Sequence, residues 1–78
     1  MTKAEREVLT RLAAGERLYF YYGDIYTNRW INGGTCSEYM CRKLYRKWWV
    51  NYVNTFSGAD IVITDAGRAA LKEEYMHG

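Results

Sequence analysis

Proline does not occur among the 78 residues, histidine occurs once and cysteine twice. With no proline, no repeat and no low-complexity tract, nothing resembling a linker divides the chain, and residues 1–78 read as one domain. A lone histidine, His77 beside the C-terminus, leaves no Ser/His/Asp or Cys/His arrangement to activate a nucleophile. Gly33-Gly34 stands alone and carries no phosphate-loop pattern. Asp24, Asp60 and Asp65 are accounted for as turn and cap residues, and a chain of this size has little volume for a deep pocket. The expectation is a non-enzyme without a cofactor. A run of about 18 apolar residues and a secretory segment are both missing, so a cytoplasmic protein without membrane contact is expected. Charge of one sign is also scarce. The net charge of +2 falls well short of a polybasic protein and makes the overall attraction for phosphate weak.

What is present is aromatic. Phe, Trp and Tyr make up 17% of the chain, eight of them tyrosines whose apolar bodies and polar tips suit half-buried sheets and contact surfaces. Thr2-Lys3-Ala4-Glu5 matches a capping box, and Ala4, Val8, Leu9, Leu12 and Ala13 follow at helical spacing, which predicts a helix over 3–14 closed by Gly15. In 17-RLYFYYGDIYTNRWI-31, Gly23-Asp24 reads as a two-residue hairpin turn. That register would place Leu18, Phe20, Tyr22 and Ile25 on the core face. Tyr19, Tyr21, Tyr26 and Trp30 would then form an exposed aromatic band near Arg17 and Arg29. After Asn32-Gly33-Gly34, Thr35 or Ser37 can cap a second helix reaching about Lys47. The segments 49–53 and 61–63 read as strands joined by a loop over 54–60 that bends at Gly58. Thr64 caps a last helix over 65–76, with Ala66, Ala70, Leu71 and Tyr75 facing inward and Gly67 permitting close approach.

This α-β-β-α-β-β-α order, an α+β chain, resembles the winged-helix family. The stretch 44-LYRKWWV-50 is similar to the close of a winged-helix recognition helix, with Trp48 in the position usually held by glycine. The stretch 61-IVITDAGRAAL-71 looks like the common end of such domains, and 13-AAG-15 resembles the first-helix ending of small prophage and plasmid members. The departure is the hairpin over 17–31, which stands where the second helix of a helix-turn-helix would be. The resemblance implies a small nucleic-acid-binding regulator of phage or mobile-element type, with double-stranded DNA as partner. The runner-up reading is a phage-encoded inhibitor of a host protein or nucleoprotein complex, such as a CRISPR effector, binding through its basic helix and aromatic hairpin in the host cytoplasm. A homodimer paired through the last helix is the third reading.

On the second helix, Ser37, Met40, Cys41, Leu44 and Trp48 fall on one arc, while Tyr39, Arg42, Lys43, Arg46 and Lys47 cover the opposite one. The second set is the candidate contact surface for nucleic acid or partner. Residues 54–57 of the wing would reach a neighbouring phosphate, and Glu38 in the first turn would repel one. The hairpin band of Tyr19, Tyr21, Tyr26 and Trp30 with Arg29 is the second candidate interface. A solvated helix face and cross-strand aromatic stabilisation account for the same two patterns without any ligand. Cys36 and Cys41, five apart on one helix, would lie about 140° from each other, so neither a disulfide nor a metal corner is expected.

Overall fold

The computed structural model describes residues 1–77, the side chain of His77 excepted, so the expectation that this lone histidine completes no catalytic set lies outside the described residues. Three helices lie on one face of a five-stranded antiparallel sheet. In chain order these are α1 (Lys3–Ala13), β1 (Leu18–Tyr21), β2 (Asp24–Trp30), β3 (Thr35–Ser37), α2 (Glu38–Arg46), β4 (Val50–Asn54), β5 (Gly58–Ile63) and α3 (Asp65–His77). The sheet order is β3-β2-β1-β5-β4. The chain is thus α+β, as expected, but its order is α-β-β-β-α-β-β-α. The added element is β3, where a helix was expected to begin: residues 35–37 pair with 27–29 of β2 before the chain turns helical.

The expected caps form. Thr2 Oγ1 accepts from the Glu5 amide and Glu5 Oε1 from the Thr2 amide, closing the capping box of α1. Gly15 adopts φ +91°, and the Gly15 and Glu16 amides return to the Leu12 and Arg11 carbonyls in a Schellman motif. Ser37 caps α2 through the Met40 amide, and Thr64 caps α3 through the Gly67 amide. Gly67 lies against the Trp49 carbonyl, where a Cβ would clash.

The helices bury Leu9, Leu12, Cys41, Leu44 and Leu71 against Leu18, Trp30, Cys36, Val50 and Ile61 of the sheet. Partners across antiparallel strands point to the same side. Trp30, Leu18, Ile61 and Tyr52 therefore form one row beneath the helices, while Arg29, Tyr19, Asp60 and Val53 form a row on the uncovered face. Of the residues expected to face inward, Ala4, Ala66 and Tyr75 are exposed, while Leu71 carries the burial of α3. Glu5 is buried instead.

The hairpin register differs from the expectation. Tyr21 pairs with Asp24, so Tyr22-Gly23 is the turn, whereas Tyr19 pairs with Arg29 and Leu18 with Trp30. Residues 25–28 thus stand against the single residue Phe20, and this irregularity changes the side of Trp30, Tyr22 and Ile25 while Tyr21 and Tyr26 stay exposed. Trp30, expected outside, is 5% exposed and carries the Arg11 guanidinium over its ring at 4.0 Å. Ile25 and Tyr22, expected inside, are exposed. Strand β5 begins at Gly58, so the wing loop shrinks to residues 55–57.

Candidate functional site

The position of α2 follows from topology. Strands β3 and β4 are consecutive in sequence and lie at opposite edges of the sheet, so α2 must cross all five strands. Four strand spacings are about 19 Å, and nine helical residues supply about 13.5 Å of that, with residues 47–49 completing the crossing. The helix is a strap fastened at both ends.

At its N-terminal end the fastening is Glu38, the only acid of the helix. It does not face solvent: Oε1 accepts from Asn28 Nδ2 at 3.1 Å and from the Tyr52 hydroxyl at 2.9 Å. Glu38 is therefore not the outward acid that was expected but a largely buried one, whose second oxygen borders Arg42. Burial, reinforced by that carboxylate, pushes the Tyr52 phenol well above its ordinary range. Asn28 Nδ2 also lies 3.3 Å from Cys41 Sγ. Asn28 is fully buried, and its Oδ1 has no partner among the described residues.

Cys36 and Cys41 are both free and buried, with their sulfurs 3.7 Å apart. The angular argument that separated them fails because Cys36 belongs to β3 and not to the helix. The hydrogen bond between the thiols, with burial and the nearby Glu38 carboxylate, pushes Cys41 upward, while the same bond draws Cys36 downward. Among the described residues no cluster of three or more His, Cys, Asp or Glu side chains forms a metal cage.

The C-terminal end of α2 closes on a second Schellman motif. The Trp48 and Trp49 amides donate to the Tyr45 and Leu44 carbonyls, and Trp48 takes φ +61°. The resemblance to a winged-helix sequence put Trp48 where glycine is usual, and this left-handed position is one that glycine occupies at least cost. Trp48 does not join the core, as its place on the helical arc implied. It is 65% exposed and rests against Tyr45 at 5.6 Å. Lys47 is anchored as well, with Nζ at 2.7 Å from the buried Glu5 carboxylate and over the Trp49 ring at 4.6 Å.

The five residues expected on the outer face of α2 therefore separate. Tyr39, Arg42 and Arg46 are exposed, Lys43 is half-buried and 5.7 Å from the Tyr39 ring, and Lys47 is a structural cation. Arg42 lies 3.8 Å from Glu38 Oε2. In the hairpin band, Tyr21, Tyr26 and Arg29 are exposed, Trp30 is core, and Tyr19 is half-buried on the uncovered face. The Tyr19 hydroxyl bonds to Thr55 Oγ1 and Ser57 Oγ, so the wing hydroxyls that were expected to meet a phosphate are turned onto the sheet. Between them Phe56 projects fully into solvent.

Beside α2 the structure holds an aromatic groove that sequence patterning missed. Phe20, Tyr22, Tyr45 and Tyr52 line it, with Arg42 and Asn54 among its polar groups. Helical spacing left Tyr45 between the two faces of α2, and the assumed hairpin register put Phe20 and Tyr22 in the core. The available signal was the density of tyrosine itself.

The chain matches no family model, and neither the curated proteins nor the solved structures contain a significant match.

Proposed function

We propose that the chain is a small non-enzymatic nucleic-acid-binding protein, a regulator of phage or mobile-element type with a degenerate winged-helix arrangement, and that α2 is its contact element. The observation that carries this reading is the inward turn of Glu38. With the helix's only acid turned inward and bonded to Asn28 and Tyr52, the outer face offers Tyr39, Arg42 and Arg46, with Lys43 at its side, and Glu38 meets it only through Oε2 beside Arg42. Cations for phosphates and polar tips for base edges are what such a contact needs. The winged-helix element of the proposal is supported by the run from α2 through the β4–β5 hairpin to a Thr64-capped α3, and by the left-handed Trp48. Strand β3 is a departure from that plan. The proposed compartment is the cytoplasm, and no described helix is long and apolar enough to cross a membrane.

The test is fluorescence anisotropy of a mixed duplex at two salt concentrations. Binding is expected near micromolar at low salt and to weaken steeply as salt rises. Arg42→Ala with Arg46→Ala should weaken it further and reduce the slope of log K against log salt by about 2. Absence of binding at low salt, or a slope unchanged in the double variant, removes the proposal.

A second reading, an inhibitor docking on a host protein or nucleoprotein complex, is favoured by one feature. The Tyr22 amide bonds to the Ser57 carbonyl, which brings the β1–β2 and β4–β5 tips together and gathers exposed Tyr21, Tyr22, Ile25, Tyr26 and Phe56 at one end of the molecule. Under that reading Tyr21→Ala with Tyr26→Ala abolishes partner capture while the arginine pair has little effect.

A further inference from the structure

We propose that the aromatic groove beside α2 is a stacking site for an unpaired nucleobase of single-stranded nucleic acid. This inference rests on the nucleic-acid reading and narrows it to a class of ligand. On the helix-covered side of the sheet, Phe20, Ala59 and Asn54 stand in one row through their pairing across β1, β5 and β4. The small Ala59 side chain lets the row sink between two tall aromatic walls. The resulting groove is about 340 Å³, in the size range of pockets that hold small flat ligands.

The rings brace one another at steep angles. Phe20 meets Tyr22 at 5.9 Å and 83°, and Tyr52 at 6.4 Å and 86°; Tyr45 meets Tyr52 at 5.3 Å and 72°. Edge-to-face contacts of this kind hold the rings in place without stacking them on each other, and all four rings still line the open groove, where a base can lie against them. Aromatic stacking tolerates any base and contributes about 1–3 kcal/mol for each one, provided the backbone is also held.

Charge selects the occupant. Arg42 lines the groove and the exposed Arg46 follows one helical turn away, a spacing that suits successive phosphates of a flexible strand. A cationic ligand is disfavoured because Arg42 already lies beside the single carboxylate that could receive it. A duplex keeps its bases stacked inside and cannot fill the groove without unpairing.

Glu38, which also lines the groove, adds a preference among bases. Its Oε1 is taken by Asn28 and Tyr52, whereas the nearest cation to Oε2 is Arg42 Nε at 3.8 Å, beyond hydrogen-bond length. That oxygen can accept from an exocyclic amine, as on cytosine or adenine. Thymine offers carbonyls in the corresponding place and would be repelled.

The experiment compares three fluorescein-labelled probes of about a dozen nucleotides by anisotropy at low salt: oligodeoxycytidine, oligothymidine and a mixed duplex. Oligodeoxycytidine should bind at least about fivefold more tightly than oligothymidine. Tyr22→Ala with Tyr45→Ala should weaken oligodeoxycytidine binding about tenfold and leave duplex binding unchanged, whereas Arg42→Ala with Arg46→Ala should weaken both. Glu38→Gln keeps an acceptor for Asn28 and Tyr52 but puts a donor at the second position, so it should narrow the gap between the two single strands. Circular dichroism checks each variant; Tyr22→Ala alone, at an exposed turn, keeps the test decisive should the double variant not fold. Single-strand binding that is indifferent to the tyrosines, or no weaker for thymidine, overturns the groove assignment while duplex binding upholds the wider reading. No binding to any probe overturns both and turns attention to a protein partner.

Discussion

Glu5 and Lys47 lie 42 positions apart and meet at 2.7 Å, joining the start of α1 to the end of α2. Burial by itself would raise the Glu5 carboxyl, but the Lys47 ammonium and the Thr2 amide and hydroxyl outweigh it and lower the pKa from 4.5 to about 2. A carboxylate held lower in the folded than in the unfolded chain stabilises fully above the unfolded value and loses that contribution as pH falls toward the folded value. Thermal melts of the native chain should therefore change little on this account above about pH 5 and drop between about 4.5 and 2. Glu5→Gln, already neutral, should show a smaller drop, and an equal drop in both would exclude Glu5 as the source. Lys47→Met leaves a buried carboxylate without its cation and, because Lys47 itself is 44% exposed, should cost about 2 kcal/mol in urea melts, between an exposed and a fully buried pair. Because Lys47 is engaged with Glu5, the same variant should leave the salt slope of any duplex binding nearly unchanged. Loss of slope without loss of stability would return Lys47 to the contact surface.

At the scale of elements, the end of α2 is where local geometry and residue type disagree. A non-glycine residue in a left-handed position costs about 1–2 kcal/mol, and Trp48 recovers part of this through its contact with Tyr45. Trp48→Gly should leave stability unchanged or raise it by up to about 1 kcal/mol. If the exposed indole serves the neighbouring groove, the same change should weaken single-strand binding, the usual exchange of stability for function. A drop in stability of more than about 1 kcal/mol would instead show that Trp48 is held for packing. The hairpin is the second such place. Its strand character was legible from alternating aromatics, but its register was not, because Gly23 suits the second turn position after Tyr22 as readily as the first before Asp24. The shifted turn and the bulge opposite Phe20 together exchanged Trp30 with Ile25 between core and solvent.

The whole molecule is one layer of helices on one sheet, with α2 crossing from edge to edge. Since the strap, both sheet edges and α1 share a single cluster of buried side chains, no part has a core of its own. Urea unfolding should accordingly be two-state, with tryptophan fluorescence, reporting Trp30 beneath the helices and Trp48 and Trp49 at the strap's end, coinciding with far-ultraviolet circular dichroism. Separate midpoints would mean that α2 detaches before the sheet melts. The uncovered sheet face carries the Arg17–Asp60 ion pair and the bonds from Tyr19 to Thr55 and Ser57, which tie β1 to β5 and to the β4–β5 turn.

The sequence by itself determined the α+β class, the three helices with their caps, the strand character of the hairpin and wing, and the apolar core of α1 and α2 around Leu9, Leu12, Cys41 and Leu44. Each of these depends on residues within one or two turns of each other, where caps, periodicity and turn chemistry act. Only the tertiary structure decided that residues 35–37 form a strand, that Glu38 turns inward onto Asn28 and Tyr52, that Lys47 is bound to Glu5, and that the two cysteine sulfurs are neighbours. The groove between Tyr22, Phe20, Tyr52 and Tyr45 belongs to the same class. These contacts join β1, α1, α2 and β4 across strand register and sheet order, and a slip of one residue in register would have moved their side chains to the opposite face.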